Sequence, residues 1–182
     1  LTDGRNRLAT LWRFNGWAKY PNHKKDEKVG AVIARCAKTP THTVTHRQQQ
    51  VVLEGGAIDV DGTGNLLATE ECLLSKMQQR NPGVSRGRME HILKENLGVE
   101  RIIWLKQGIE GDDTHGHIDD VARFVAPNHV LIAHEKNPDD PNYRPLQENF
   151  RRLEAARVEI TKIPMPSPLV FDHQRIPASY LN

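Results

Sequence analysis

Two consecutive stretches of this chain run through the same series of hydrophobic patterns, and that repetition limits the fold more than any single motif does. The segment "VVLEGGAIDVDGTGNLLATEECLL", residues 51–74, predicts a strand, a Gly-rich reversal around "DGTG" and a second strand. "SRGRMEHILKENLG" then predicts a helix with Ser85 as N-cap, Met89, Ile92, Leu93 and Leu97 on one face, and Gly98 as the stop. "VERIIWL" closes the series as a buried strand. The order returns at once: "GHIDDVARFVAPNHVLIAHE" reads as two strands reversing at "APNH". "NYRPLQENFRRLEAAR" reads as a helix with Pro145 near its first turn and Leu146, Phe150 and Leu153 aligned, and "VEITKIPMP" as the last strand. Two ββαβ units in an α/β chain are the expectation. Upstream, "TLWRFNGWAKY" as a strand and "KKDEKVGAVIARCA" as a helix read as the tail of a third.

The repeat gives the polar residues places. Glu54 in "LEGG" and His117 in "GHID" fall on the first strands of successive units, in equivalent positions. Were the units arranged around an axis, a carboxylate would meet an imidazole there despite the long sequence separation. Gly55, Gly56 and Gly116 beside them would permit close backbone approach or unusual dihedrals. The surrounding "DDTHGHIDD" packs two histidines and four aspartates into nine residues. On an extended strand, His115, His117 and Asp119 would share a face, as ligands around zinc do. His129, His134 and His173, the further histidines that such a site would recruit, have no ligand-like spacing. "DVDGTG" at residues 59–64 mimics a calcium loop for four residues and then lacks the remaining ligands, so a tight hairpin turn is expected.

Composition excludes several classes. With 25 basic and 23 acidic residues the formal charge is only +2, which leaves no footprint for nucleic acid. No apolar run approaches the roughly 20 residues needed to span a bilayer. Two cysteines, Cys36 and Cys72, make no disulfide framework and suit a reducing cytoplasm. Cys72 follows two glutamates, which would raise its pKa, and Cys36 is flanked by alanines on a predicted helix, so both read as structural.

Several separated blocks then carry a resemblance. "VVLEGGAIDVDGTGNLLATEECLL", "RNPG", "LGVERIIWL", "GDDTHGHIDDVARFVAP" and "IPASYLN" resemble the agmatine deiminase and bacterial-type peptidyl-arginine deiminase family of guanidino-group modifying enzymes. The resemblance runs from "WRFNGW" to the last residue. It implies a pentein-type α/β propeller of five ββαβ-like units with the active site at the centre. It also implies that residues 1–182 are about half of that single domain, incomplete at both ends. The family carries an "MRD" block upstream and a Gly-rich block like "GGGNIHC", whose cysteine is the nucleophile, and neither occurs in these 182 residues. An incomplete radial fold would expose strand edges and invite self-association.

The activity implied is hydrolysis of agmatine to N-carbamoylputrescine and ammonia, a step of putrescine and polyamine biosynthesis, with no metal or organic cofactor. His117 matches the general acid/base, Glu54 the carboxylate that pairs with it, and Asp119 the aspartate that holds the guanidinium. Asp113 and Trp17 match substrate-binding positions, with Asn15 in the same block as Trp17. His115 is expected at the pocket edge, and Asp112 and Asp120 as turn or surface residues. Two alternatives stand beside this reading: deimination of peptidyl-arginine to citrulline, and a metal-dependent hydrolase built on His115, His117 and Asp119.

Overall fold

In chain order the strands and helices are β1 (Ala9–Leu11), α1 (Val29–Cys36), β2 (Thr41–Thr43), β3 (Thr45–His46), β4 (Gln49–Gln50), β5 (Ile58–Val60) and β6 (Asn65–Thr69). Then follow α2 (Glu70–Leu74), α3 (Arg86–Leu97), β7 (Arg101–Leu105), β8 (Ala122–Ala126) and β9 (His129–His134). The last are α4 (Tyr143–Ala156), β10 (Glu159–Pro164), β11 (Leu169–Phe171) and β12 (Gln174–Ile176). The computed structural model describes every residue except Asp3. These elements divide between two compact units, one of residues 1–54 and 76–98, the other of residues 55–75 and 99–182.

In the first unit, β1 pairs in parallel with β2, and β3 pairs with β4 as a short hairpin. Of the strand expected over "TLWRFNGWAKY", only Thr10 and Leu11, the end of β1, lie in one. Gly16, Trp17 and Ala18 all have positive φ, and Asn15 Oδ1 accepts the Ala18 N–H at 2.9 Å. An Asx-type side chain here offers the backbone a turn in place of a ladder. The longest helix of this unit, α3, keeps the boundaries its caps predict. Ser85 Oγ accepts the Arg88 N–H, Gly98 ends the helix at φ +68°, and Met89, Ile92 and Leu93 are buried.

The second unit holds two three-stranded sheets of the same design. β5 and β6 form an antiparallel hairpin and β7 joins β6 in parallel; β8 and β9 form a hairpin and β10 joins β9 in parallel. The turn between β5 and β6 is organised by Asp61, which accepts the backbone N–H and hydroxyl of Thr63 and the backbone and side-chain N–H of Asn65. β6 is buried over four of its five residues, as expected for a strand covered on both faces. Helix α4 packs on β7 and β9, so one helix serves both sheets. Leu67, Ile103, Leu105, Ile118, Val130, Ile132, Leu146 and Leu153 form one continuous apolar core. The architecture is mixed α/β with small sheets, and no sheet closes on itself among the described residues.

Two further strand expectations are corrected within the second unit. The second strand of the first hairpin ends at Thr69, and "EECLL" is the short helix α2. Thr69 Oγ1 accepts the Cys72 N–H at 3.0 Å, so a local cap overrides the apolar run. The strand expected to begin at "GHID" begins instead at Ala122, after a 3-10 turn at Ile118–Asp120.

Candidate active site

The expectation that Glu54 and His117 lie on first strands is not met. Glu54 directly precedes a 3-10 turn, Gly55–Ala57, that leads into β5; His117 directly precedes the turn Ile118–Asp120 that leads toward β8. Each polar residue therefore sits where the chain enters its sheet, one turn earlier than the alternation of apolar residues suggests.

The path to His117 is an irregular segment, residues 106–117, with few ladder hydrogen bonds of its own. Buried backbone groups of such a segment must be satisfied by something else. Here buried and half-buried side chains do it. Asn149 Oδ1 accepts the Lys106 N–H at 2.6 Å and its Nδ2 donates to Gln107 O at 2.7 Å. Glu71 Oε2 accepts the Gly108 N–H at 2.7 Å, and Asn142 Oδ1 accepts that of Glu110 at 2.7 Å. Asp112 Oδ2 accepts the N–H groups of Gly116 and His117 at 2.7 and 3.0 Å, while its Oδ1 takes both donors of Thr114. Asp112 is the turn residue expected, and it also aims the backbone of His117. Thr69, fully buried, donates its hydroxyl to Gly116 O.

Three glycines allow the segment to pack this closely. Gly116 has φ +88°, and a β-carbon on it would come within 2.8 Å of Glu71 Oε2. A β-carbon on Gly108 would lie 2.5 Å from the Gly116 α-carbon. Gly56 is needed for space alone: a β-carbon there would overlap His117 Nδ1 and approach Asp119 Oδ2 to 2.7 Å. Gly55, by contrast, faces open space.

His117 is 7% exposed, and its Nδ1 stands 3.9 Å from Asp119 Oδ1. The imidazole and carboxylate lie side by side over Gly56. Cys72 Sγ lies within 4.8 Å of a ring nitrogen of His117. The carboxylates nearby are perturbed. Burial raises the pKa of Asp59, and the charge of Asp119 raises it further against the Phe124 N–H and Arg123. Burial likewise raises Asp120; the Asn182 amide opposes it, while Asp112 and Asp119 add to it. Asp120 is buried, not at the surface as its sequence context suggests.

His115 does not join them. With residues 112–117 forming a turn, the shared strand face needed for a His115, His117, Asp119 metal site does not exist. His115 has φ +66°, its Nδ1 is 3.9 Å from Glu71 Oε1 and its Nε2 is 3.3 Å from Ser75 Oγ. Asp113 is exposed on the same turn.

The first unit holds the other two candidates. Glu54 is 8% exposed, and Arg80 Nε donates to its Oε1 at 3.2 Å from a side chain that is itself fully buried. Nothing in the spacing of the sequence marks Arg80 as this partner. Trp17 is half-buried between Phe14 and Tyr20, edge-on to both rings, and its carbonyl accepts from Gln78 Nε2. Trp17 has φ +57°, as part of the left-handed turn it shares with Gly16 and Ala18. Cys36 is exposed at the end of α1, and Cys72 is buried.

The profile of Porphyromonas-type peptidyl-arginine deiminases matches residues 2–182. The chain belongs to this family. An agmatine deiminase of Pseudomonas fluorescens is 40% identical over 172 residues, 87% of this chain and 44% of that protein. An agmatine deiminase of Stutzerimonas stutzeri is 39% identical over 180 residues, 93% of this chain and 47% of that one. Among solved structures, substrate-bound agmatine deiminase of C. jejuni matches with a TM-score of 0.83 at 29% identity, over 97% of this chain and 51% of its own. The agmatine deiminase of Enterococcus faecalis matches with a TM-score of 0.80 at 30% identity, over 94% and 53%. The chain thus spans about half the length of the family members it matches.

Proposed function

We propose that this chain carries the proton-transfer and guanidinium-binding part of an agmatine deiminase-type hydrolase. The observation that carries the reading is the pairing of the His117 imidazole with the Asp119 carboxylate over Gly56, inside a cluster of crowded carboxylates. A planar guanidinium is the cation such a carboxylate binds best, through two parallel charge-assisted hydrogen bonds. Glu54 completes the set as the carboxylate that favours and orients the imidazolium. Asp113 and Trp17 are proposed to contact the rest of the substrate.

The chemistry follows from these roles. The nucleophile that the family resemblance implies is a thiolate of its Gly-rich cysteine block, which neither Cys36 nor Cys72 matches. Attack on the guanidinium carbon gives a tetrahedral adduct; His117 donates a proton to the departing nitrogen, and ammonia leaves a covalent thiouronium. The neutral imidazole then takes a proton from water, which attacks the same carbon and expels the thiolate. Guanidinium and water become a ureido group and ammonium, with no redox change. The two like-built sheets fit successive units of a pentein-type propeller.

Steady-state ammonia release from agmatine by the full-length protein tests the assignment. His117→Ala should remove it, and full activity in that variant would end the reading. The family description favours a second substrate, peptidyl-arginine. Comparing turnover of agmatine with that of a C-terminal arginine peptide separates the two.

A further inference from the structure

The segment that delivers His117 is fastened at one further point, far along the chain, by Arg175. The Arg175 guanidinium donates through one terminal nitrogen to both oxygens of Asp140, at 2.9 and 2.8 Å. Asp140 Oδ1 also accepts the Asn142 N–H at 2.9 Å, and Asn142, 1% exposed, accepts the Glu110 N–H at 2.7 Å. The backbone closes the same loop from the other side: a β-carbon on Gly111, at φ +85°, would lie 2.5 Å from Arg175 O. The residues from Glu110 to His117 thus hang between an Arg175–Asp140–Asn142 relay at one end and the Asp112 turn at the other.

We propose that Arg175 is a positioning residue for His117, clamping residues 110–111 so that the imidazole holds its register beside Asp119. The proposal rests on the proton-transfer role given to His117. Arg175 does not touch the substrate; it acts through the backbone. Several features select it over the other surface arginines. Its carboxylate partner is almost fully buried, its partner's neighbour is a buried asparagine facing the segment, and its own carbonyl meets a glycine of that segment. The contact joins parts of the chain between which β8 to β11 intervene.

Arg175→Met and Arg175→Lys in the full-length protein test this by two readouts. Amide hydrogen exchange reports the clamp directly: Arg175→Met should speed exchange at Glu110, Gly116 and His117 while leaving α4 and β9 protected, and Arg175→Lys should restore part of the protection. Ammonia release reports the consequence. Misplacing a catalytic group by about 1 Å costs up to about 100-fold, so Arg175→Met should lower kcat by at least tenfold with little change in KM for agmatine, and Arg175→Lys should recover part of it. Unchanged exchange at those amides overturns the clamp, and faster exchange with unchanged kcat overturns the positioning role. A rise in KM alone would make Arg175 a binding residue and also overturns it. Should wild-type protein release no ammonia, the deiminase reading fails by itself, and the exchange arm still decides whether the clamp exists.

Discussion

The α-carbon of Gly56 faces the His117 imidazole with no room between them for a methyl group. Gly56 does not have positive φ, so its backbone would accept alanine, and only the site would object. Gly56→Ala is therefore expected to displace the imidazole or the Asp119 carboxylate and to lower kcat/KM for agmatine by at least about 100-fold, as misplacement of catalytic groups does. Thermal unfolding should shift little. Activity within twofold of wild type would show that the pair is not held against Gly56 as described.

Cys72 Sγ lies close to a ring nitrogen of His117, which makes it the obvious false candidate for nucleophile. It is buried on α2, with its backbone N–H capped by Thr69. Cys72→Ala should keep kcat within about tenfold, the loss expected from disturbed packing, since removing a true nucleophile costs far more, on the order of 10⁶. Complete loss of ammonia release in correctly folded Cys72→Ala would reassign the nucleophile to this chain.

Glu54 and Arg80 form an ion pair with side chains 5% and 0% exposed. Arg80→Leu takes a charge-assisted hydrogen bond from a buried carboxylate, which costs about 1.5–3 kcal/mol. Arg80→Leu should lower stability by that order in urea titrations monitored by circular dichroism. A change below about 1 kcal/mol would mean the carboxylate finds water or another donor at no penalty.

Asp61 supplies a pH dependence with a defined sign. Burial alone would raise its pKa, but hydrogen bonds from Asn65 and Thr63 outweigh that and hold the carboxyl well below its ordinary 3.8. A depressed folded-state pKa stabilises the fold above the unfolded value and loses that contribution as pH falls below it. The stability advantage of wild type over Asp61→Asn should therefore be full at pH 6 and shrink as pH drops through about 4. Denaturant midpoints measured at pH 6, 4 and 3 check this; a constant difference would contradict it.

Much of this was readable along the chain because its causes are local. Helix α3 lies between a serine cap and a glycine stop, and α4 shows its apolar spacing and an early proline, so each is defined within its own turn or two. The closing strands β7 and β10 follow for the same reason. Where local signals conflicted, the nearer hydrogen bond won: Thr69 capping Cys72 turned a predicted strand end into α2. The strand assigned to "GHID" gave way to a turn because Asp112 offered its carboxylate to the N–H groups of Gly116 and His117.

By itself, the sequence determined helices α3 and α4, the closing strands β7 and β10, and the family, since these depend on periodicity, caps and motif blocks that neighbouring residues carry. Only the tertiary structure decided that His115 turns toward Glu71 and Ser75 while His117 and Asp119 meet over Gly56. It alone paired Glu54 with Arg80 and hung residues 106–117 from Asn149, Glu71, Asn142 and Thr69. Those partners lie tens of residues away in the chain. A buried polar group takes whichever donor or acceptor the packed core brings within about 3 Å, and that choice has no periodicity to read.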